Sequence, residues 1–562
     1  MYAAQPPAER KPAHWKNQGP IDLDQCRRTA LAEIDNAKFS WFHVKVICVA
    51  GVGFFTDAYD IFSISIVATM LGIVYNKNST SLGVNQDLGV KIATPIGTVV
   101  GQLLFGWLAD IVGRKRMYGI ELIIIIFCTF AQALSAAGPG LSMTGVIIIW
   151  RFLLGVGIGG DYPLSSVISS EFASTRIRGR IMTVVFSSQG WGNLASAIVS
   201  AVVISAYKGR IEDPALTVKS IDQVWRFIVG LGCVPAVLAL YFRLTIPETP
   251  RFTMDIDRNI LQATEDIDAV LYNRNFYIDD QAVAVRADAP KASRRDFLAH
   301  FGQWRNGKVL FGTAYSWFAL DVRICCWILE LVLTVRQIAF YGLGLNTSTV
   351  LAAIGFSGSN HVQFSGLYWY DILRKTAVGN IVIAVGGLIP GYLATFLLID
   401  SWGRKPIQLM GFTMLTMLFI IMGFGYSALQ SSDSAKKAFV FLYCLTNFFS
   451  NFGPNTTVII IPGELYPTRY RSTAHGISGA SGKLGAVVAQ VGFARLTSLK
   501  GNDHSNHWLD HIFEIFAFFM FTGIFSTMLI PETKNKSLEF LSGEEQEGFV
   551  RRKIDNIISQ IV

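Results

Sequence analysis

Gly106-Trp-Leu-Ala-Asp110-Ile-Val-Gly113-Arg114-Lys115 closes one long apolar run and opens the next, and its skeleton returns as Gly391 followed by Asp400-Ser-Trp-Gly403-Arg404-Lys405. Two more pairs keep the same order. Glu171 stands seven residues before Arg178, as Glu464 does before Arg471, and Pro247-Glu248-Thr249 returns as Pro531-Glu532-Thr533. The three offsets are 290, 293 and 284 residues. Motifs recurring in one order at nearly one spacing imply two homologous halves joined by a linker, a usual plan for membrane carriers.

The composition says which solvent those halves face. Of 562 residues 51% are hydrophobic, and the mean hydropathy is +0.40, which soluble domains rarely sustain at this length. A bilayer span needs roughly 20 mostly apolar residues. Twelve windows qualify: 46–74, 92–112, 117–138, 144–170, 181–206, 225–246, 309–345, 378–399, 407–427, 438–462, 473–494 and 511–530. The expected fold is therefore all-α and integral to the membrane, with twelve transmembrane helices in two six-helix repeats. The divisions are a tail at 1–45, a bundle at 46–246, a linker at 247–308, a second bundle at 309–530 and a tail at 531–562. Gly155-Val-Gly157-Ile-Gly159-Gly160 would let helix backbones approach closely.

Charge sets the expected orientation. Arg114, Lys115 and Arg116 fill one short loop, Arg176, Arg178 and Arg180 another, and Arg404-Lys405 and Arg469 with Arg471 repeat the pattern. The loop after the third window has no Lys or Arg, whereas Lys208, Arg210 and Lys219 in 207–224 run against the trend. The bias puts both termini and the linker in the cytoplasm. Two Asn-x-Ser/Thr sequons, at Asn78 and Asn346, fall on the other side. The first forty or so residues are polar and do not read as a signal peptide. A pI near 9.0 raises the question of nucleic acid, but the cations sit in the loops and read as topology signals, so no nucleic-acid partner is expected. The seven cysteines show no metal spacing, and there is no Gly-Lys-Ser/Thr phosphate loop or nucleophile elbow. Neither enzyme activity nor a cofactor is expected.

The Gly-x-Leu-Ala-Asp-x-x-Gly-Arg-Lys loop and its echo resemble the major facilitator superfamily, and Pro247-Glu-Thr-Pro-Arg251 resembles its sugar-porter-like branch. Within that branch Phe54-Phe-Thr-Asp57-Ala-Tyr-Asp60, Gly159-Gly-Asp161-Tyr162-Pro-Leu-Ser165, Asn451-Phe-Gly-Pro454-Asn455 and Gly463-Glu464-Leu-Tyr-Pro467-Thr-Arg469-Tyr-Arg471 are similar to the fungal and plant inorganic phosphate:proton symporters. The resemblance covers nearly the whole chain outside the tails. It implies a secondary transporter importing phosphate with protons by alternating access, at home in the plasma membrane.

Ionisable residues deep in a span are functional candidates by default. Asp57, Asp60, Arg151, Asp161, Asp321 and Lys483 qualify. The resemblance gives the seventh span an Asp that contacts phosphate, matching Asp321 after Trp317, and makes Tyr162, Gln189, Trp317, Tyr341 and Asn451 its hydrogen-bonding neighbours. Lys483 would offset the anion. A carboxyl beside phosphate works when the two share a proton, which sulfate lacks near neutral pH. Asp57, Asp60, Asp161 and Arg151 are the proton-coupling candidates. The alternatives are local capping or pairing for Asp57 and Asp60, a structural counter-ion for Arg151, and aromatic packing for Tyr162, Trp317 and Tyr341. Asp110, Arg114, Glu171 and Arg178, with Asp400, Arg404, Glu464 and Arg471, lie at span ends and are expected to gate the cycle by ion pairs, or else to anchor those ends.

The seventh window is too long. Val309–Leu345 is 37 residues, where a tilted span takes about 25 at most. Removing 322–337 leaves 21 and joins Asp321 to Ile338-Ala-Phe-Tyr341. The stretch carries Arg323, Glu330 and Arg336, its length is in frame, and its borders suit splice sites, so it reads as an unspliced intron. Were it kept as helix, Tyr341 would move ~24 Å along the axis and the phosphate site would not form. Competing readings are a porter for a glycerophosphodiester or sugar, and a receptor-like nutrient sensor. Buried Asp161 and Asp321 weigh against a neutral sugar.

Overall fold

The computed structural model describes residues 23–76, 82–246, 248–257, 293–321, 365–498 and 509–544, with 259, 263, 267, 287–288 and 551–552. It is helical almost throughout. The first half comprises an amphipathic α1 (Leu23–Asp35), α2 (Trp41–Tyr75), α3 (Val84–Val112), α4 (Arg114–Ala133), α5 (Met143–Phe172), α6 (Arg178–Ala206), α7 (Thr217–Gly230) and α8 (Cys233–Thr245). The second comprises α9 (Trp304–Asp321), α10 (Gly366–Ile383), α11 (Ile389–Trp402), α12 (Arg404–Phe424), α13 (Asp433–Asn451), α14 (Pro454–Leu465), α15 (Arg471–Ser498) and α16 (Leu509–Met528). Helix occupies every one of the twelve windows. The suspected insert 322–337, Tyr341 and Asn346 lie outside the described residues, so the seventh window is seen only to Asp321.

Among the described residues seven helices are long and apolar enough to cross a membrane, and Phe513–Met528 is a shorter apolar one. The fifth helix of each half, α6 and α15, is long but more polar. Most of its described Ser, Gly and Gln residues are at least partly buried: α6 packs on α11 and α10, and α15 on α3 and α9. The halves thus meet reciprocally, the second helix of each against the fifth of the other. Where α3 crosses α15 the backbones nearly touch, a Cβ on Gly106 reaching 2.7 Å from the Ser472 carbonyl and one on Gly476 colliding with that of Gln102.

The repeat is visible in backbone detail. Gly113 and Gly403 take φ of 113° and 105°, which an L side chain rarely adopts, and each lets the second helix of its half turn sharply into the third. Glu248 and Glu532 of the two Pro-Glu-Thr motifs then accept from the bare N–H groups of Lys115 (3.2 Å) and of Arg404 and Lys405 (3.1 and 2.9 Å).

Three windows differ from expectation in form. The eighth, read as 378–399, is helix from Gly366 to Trp402, with a π-turn at Ala384–Leu388. Pro390 explains it: without an N–H it cannot bond back one turn, and the helix widens instead. The tenth breaks between α13 and α14 at Phe452-Gly453, before Pro454. The freed Asn451 carbonyl is recaptured by Thr395 (2.8 Å) and Thr456 (2.7 Å), as backbone inside a membrane requires. The sixth starts earlier, at Thr217, so Lys219 of the off-trend loop belongs to helix α7.

Candidate functional site

Four of the expected phosphate ligands converge where the halves meet. Lys483 on α15 donates to Asp321 at the end of α9 (2.9 Å), and both are almost fully buried. The ammonium lies 4.9 Å from the Tyr162 ring centroid and 5.9 Å from that of Trp317, a cation–π arrangement that draws on α5 of the first half and α9 of the second. Trp317 is fixed edge-on by His475 at 5.5 Å, whose Nε2 lies 3.2 Å from the Ile459 carbonyl. The Tyr162 and Trp317 centroids are 6.4 Å apart.

Asn451 and Gln189 sit differently. Asn451 Oδ1 accepts from Asn455 (2.7 Å), and Asn455 also donates to the Tyr392 hydroxyl (3.1 Å). Tyr392 packs on Phe186 of α6, 5.8 Å between centroids, and lies within electrostatic reach of Tyr162. Gln189 is buried, and its Oε1 has no hydrogen-bond partner among the described residues. Buried polar atoms are nearly always satisfied, so this oxygen is one of those open to a ligand or water. Tyr392 and Asn455 were not singled out in the sequence, although Asn455 stood in a quoted motif. Tyr341 lies outside the described residues.

The proton-coupling candidates divide into two groups. Asp60 accepts from Thr129 (2.8 Å) and lies within electrostatic reach of Arg151, whose Nε donates to the Val90 carbonyl (2.9 Å). Arg151 therefore faces Asp60 and not Asp161. Asp161 instead accepts from Arg243 Nη2 (2.9 Å) and Ser165 (2.6 Å), while Arg243 Nη1 bonds Glu121. Asp57 lies within electrostatic reach of that trio, is 1% exposed, and neither of its oxygens has a hydrogen-bond partner among the described residues. Sequence reading missed Glu121 and Arg243. The signal was present, since each is a charge inside an apolar window, 117–138 and 225–246, but each is near a basic loop and passed as a span end.

The expected gating residues assemble at the motif-bearing end of the bundle. Asp110 accepts from the backbone N–H of Ser472 (3.2 Å) and Thr473 (2.7 Å), the first turn of α15 in the opposite half. Asp400 accepts from Arg180 N (3.1 Å) in the first turn of α6, again across the halves. Each acid fills the place of a missing N-cap and lies at the positive end of a helix dipole. Arg114 binds Asp110 (3.4 Å), Glu171 (3.5 Å) and the Thr468 carbonyl (2.7 Å); Arg471 crosses to Glu171 (2.7 Å); Arg404 holds Glu464 (2.8 Å) and Asp400 (3.0 Å). The symmetry fails at Arg178. It pairs with Asp35 of α1 (3.1 Å) and donates to the Lys536 carbonyl (3.0 Å).

Asp35 belongs to an ionic strap that the sequence did not reveal. It also accepts from Arg251 (3.1 Å), which binds Glu539 (2.7 Å) and the Glu171 carbonyl (2.6 Å). At the other end of α1, Arg27 pairs with Asp255 (2.7 Å) and reaches the Glu544 carbonyl. Burial acts to raise the Glu539 carboxyl, but the Arg251 guanidinium overrides it and holds the group at about 2. One short helix thereby ties the first half to the segments that follow each of the two halves.

A family model described as "Sugar (and other) transporter" matches residues 45–543. The chain is 46% identical to the repressible high-affinity phosphate permease of Neurospora crassa, over 93% of this chain and 90% of that one. It is also 46% identical to the inorganic phosphate transporter PHO84 of Saccharomyces cerevisiae, over 91% and 86%. A probable inorganic phosphate transporter of Arabidopsis thaliana is 38% identical over 93% and 98%. Among solved structures, the proton:xylose symporter XylE matches at TM-score 0.64 and 19% identity, over 90% of this chain and 99% of that one, a likeness of fold. These relatives are transporters, not enzymes. Duplicated helical halves, reciprocal crossings and this similarity agree: the chain belongs to the sugar (and other) transporter family of the major facilitator superfamily, in the branch of fungal and plant phosphate transporters.

Proposed function

We infer that this chain carries inorganic phosphate across a membrane together with protons, by alternating access. Similarity to phosphate permeases over nine-tenths of the chain is the observation that carries the reading. The geometry supports it. Asp321 and Lys483 offer a buried acid and base side by side between Tyr162 and Trp317, so a protonated phosphate has a carboxylate to donate to and an ammonium to accept from. Gln189, Asn451 and, in a version without 322–337, Tyr341 complete the polar shell.

Protons are needed on physical grounds. Driving each net negative charge into a negative interior costs ~2.3 kcal/mol per 100 mV. Protons taken up by Asp57, Asp60 and Asp161 with the anion remove or reverse that cost, with Arg151 balancing Asp60. The plasma membrane, with both termini in the cytoplasm, is the setting the loop charges and the family favour. In that orientation the ion pairs of Asp110, Arg114, Glu171, Arg178, Asp400, Arg404, Glu464 and Arg471 close the cytoplasmic end and release to admit phosphate to the cell.

Labelled-phosphate uptake in a host lacking its own phosphate transport tests this, with and without a protonophore, for the chain as written and for a version lacking 322–337. The shortened chain is expected to accumulate phosphate and to lose accumulation when the proton gradient collapses. Asp321→Asn or Asp161→Asn in that chain is expected to abolish pH-driven accumulation. Protonophore-insensitive uptake would refute coupling, and full activity of the unshortened chain would refute the retained-intron reading.

A further inference from the structure

Arg243 has an unusual set of neighbours. One guanidinium at the base of α8 spans two carboxyls on different helices, Nη1 to Glu121 Oε1 on α4 and Nη2 to Asp161 Oδ1 on α5. All three side chains are fully buried. The guanidinium carbon sits 3.9 Å over the Tyr118 ring, and Nη1 also reaches the Tyr118 carbonyl (3.3 Å). Tyr118 in turn hydrogen-bonds Ser165 (2.8 Å), which donates to Asp161. A Cβ at Gly53 on α2 would collide with both the guanidinium and the Asp161 carboxyl, so this clasp also needs the missing side chain on the facing helix.

The oxygens left over carry the argument. Glu121 Oε2 and Asp161 Oδ2 are both buried without a hydrogen-bond partner among the described residues, and the two carboxyls interact directly. Two carboxylates at that range cannot both be ionised cheaply, and a single proton between them satisfies both orphan oxygens. Charge balance agrees. One proton on the pair beside one guanidinium leaves the trio neutral, and losing it leaves a net negative charge in a low-dielectric interior. Asp57 on α2 lies within electrostatic reach of the trio, with neither oxygen partnered among the described residues, so it is placed to receive or return the proton. The other charges in reach, Asp60 and Arg151, face each other.

We propose that Arg243 is a positioning residue that clasps Glu121 and Asp161 into a proton-sharing carboxyl pair, and that this pair, not Asp161 alone, stores the coupled proton. In each transfer one carboxyl O–H bond breaks as another forms on Asp57 or on entering water. The proposal rests on the phosphate:proton reading and adds to it a second acid, Glu121, and the base that organises both.

The test uses the full chain in proteoliposomes, with and without 322–337, as wild type, Glu121→Gln and Arg243→Lys. One readout compares accumulation of labelled inorganic phosphate driven by a pH gradient with phosphate–phosphate exchange at equal pH, which requires binding and alternation but no net proton movement. The other follows the infrared carboxylic-acid band as pH is stepped, and needs no substrate. Glu121→Gln is expected to keep exchange within about twofold while losing at least about tenfold in driven accumulation, and to remove a protonated-carboxyl signal. Arg243→Lys keeps the charge but cannot bridge two carboxyls, and is expected to move the midpoint of that signal by about one pH unit. If either variant lowers exchange and accumulation by one factor with the infrared titration unchanged, the pair is structural only and the proposal fails. Should Arg243→Lys not fold, Glu121→Gln decides alone. A wild type that exchanges no phosphate sinks the phosphate reading, and the infrared titration then still decides whether the pair shares a proton.

Discussion

Lys483 and Asp321 illustrate what a single buried pair implies. Each neutralises the other at full burial, so removing one partner strands the second charge, at a typical cost of about 3–5 kcal/mol, whereas removing both leaves an apolar gap. Thermal unfolding of the purified chain is therefore expected to show Lys483→Ala and Asp321→Ala each more destabilising than the double variant. Additive losses would mean that the pair contributes no coupling. Gly53→Ala tests the neighbouring cluster: its Cβ enters the space of Arg243 and Asp161, and a drop of about 1–3 kcal/mol is expected from overpacking, read as a lower unfolding midpoint. Asp321, Asp161 and Lys483 were legible in the sequence because a charge inside an apolar window advertises its own cost. Glu121 and Arg243 carried the same signal, but their positions a few residues from basic loops matched the pattern of a span end. Tyr392 was not legible at all, and Asn455 was legible only as a member of a motif, with no contact attached to it. A tyrosine or asparagine is unremarkable in a helix, and only tertiary contact shows that its polar tip bonds a neighbour.

At the scale of the element, the reciprocal caps make a quantitative claim. Asp110→Ala exposes the first turn of α15 and is expected to weaken closure of that end by about 0.5–2 kcal/mol, the usual worth of an N-cap. Faster maleimide labelling of a cysteine placed at Thr473 checks it, and unchanged labelling would mean that the neighbouring ion pairs suffice. The strap on α1 answers to pH. Because Glu539 is held at about 2 in the folded chain, its contribution is complete above the ordinary glutamate value of about 4.3 and is lost as pH falls through about 2. Hydrogen exchange in Leu23–Asp35 is thus expected to stay slow at neutral pH and to quicken, relative to a Glu539→Gln control, as the solution is acidified toward that value. The helices themselves were readable from hydropathy. Their irregularities at Pro390 and Gly453 were not, because proline and glycine mark a possible break without saying whether the helix widens, kinks or restarts.

For the whole molecule, the duplication is enough to imply the architecture, since three motifs at nearly one spacing leave few alternatives to paired bundles. What duplication could not announce is where the halves stop matching. Arg471 crosses to Glu171, but Arg178 turns to α1, so one side of the closed end is fastened directly and the other through the strap. The crossing of α3 and α15 bears on how such a closed body moves. Backbone meets backbone at Gly106 and Gly476, so at that one point no side chain has to repack as the angle changes. That contact is a smooth bearing, and its friction is set by two hydrogen atoms where any other residue would present a tooth.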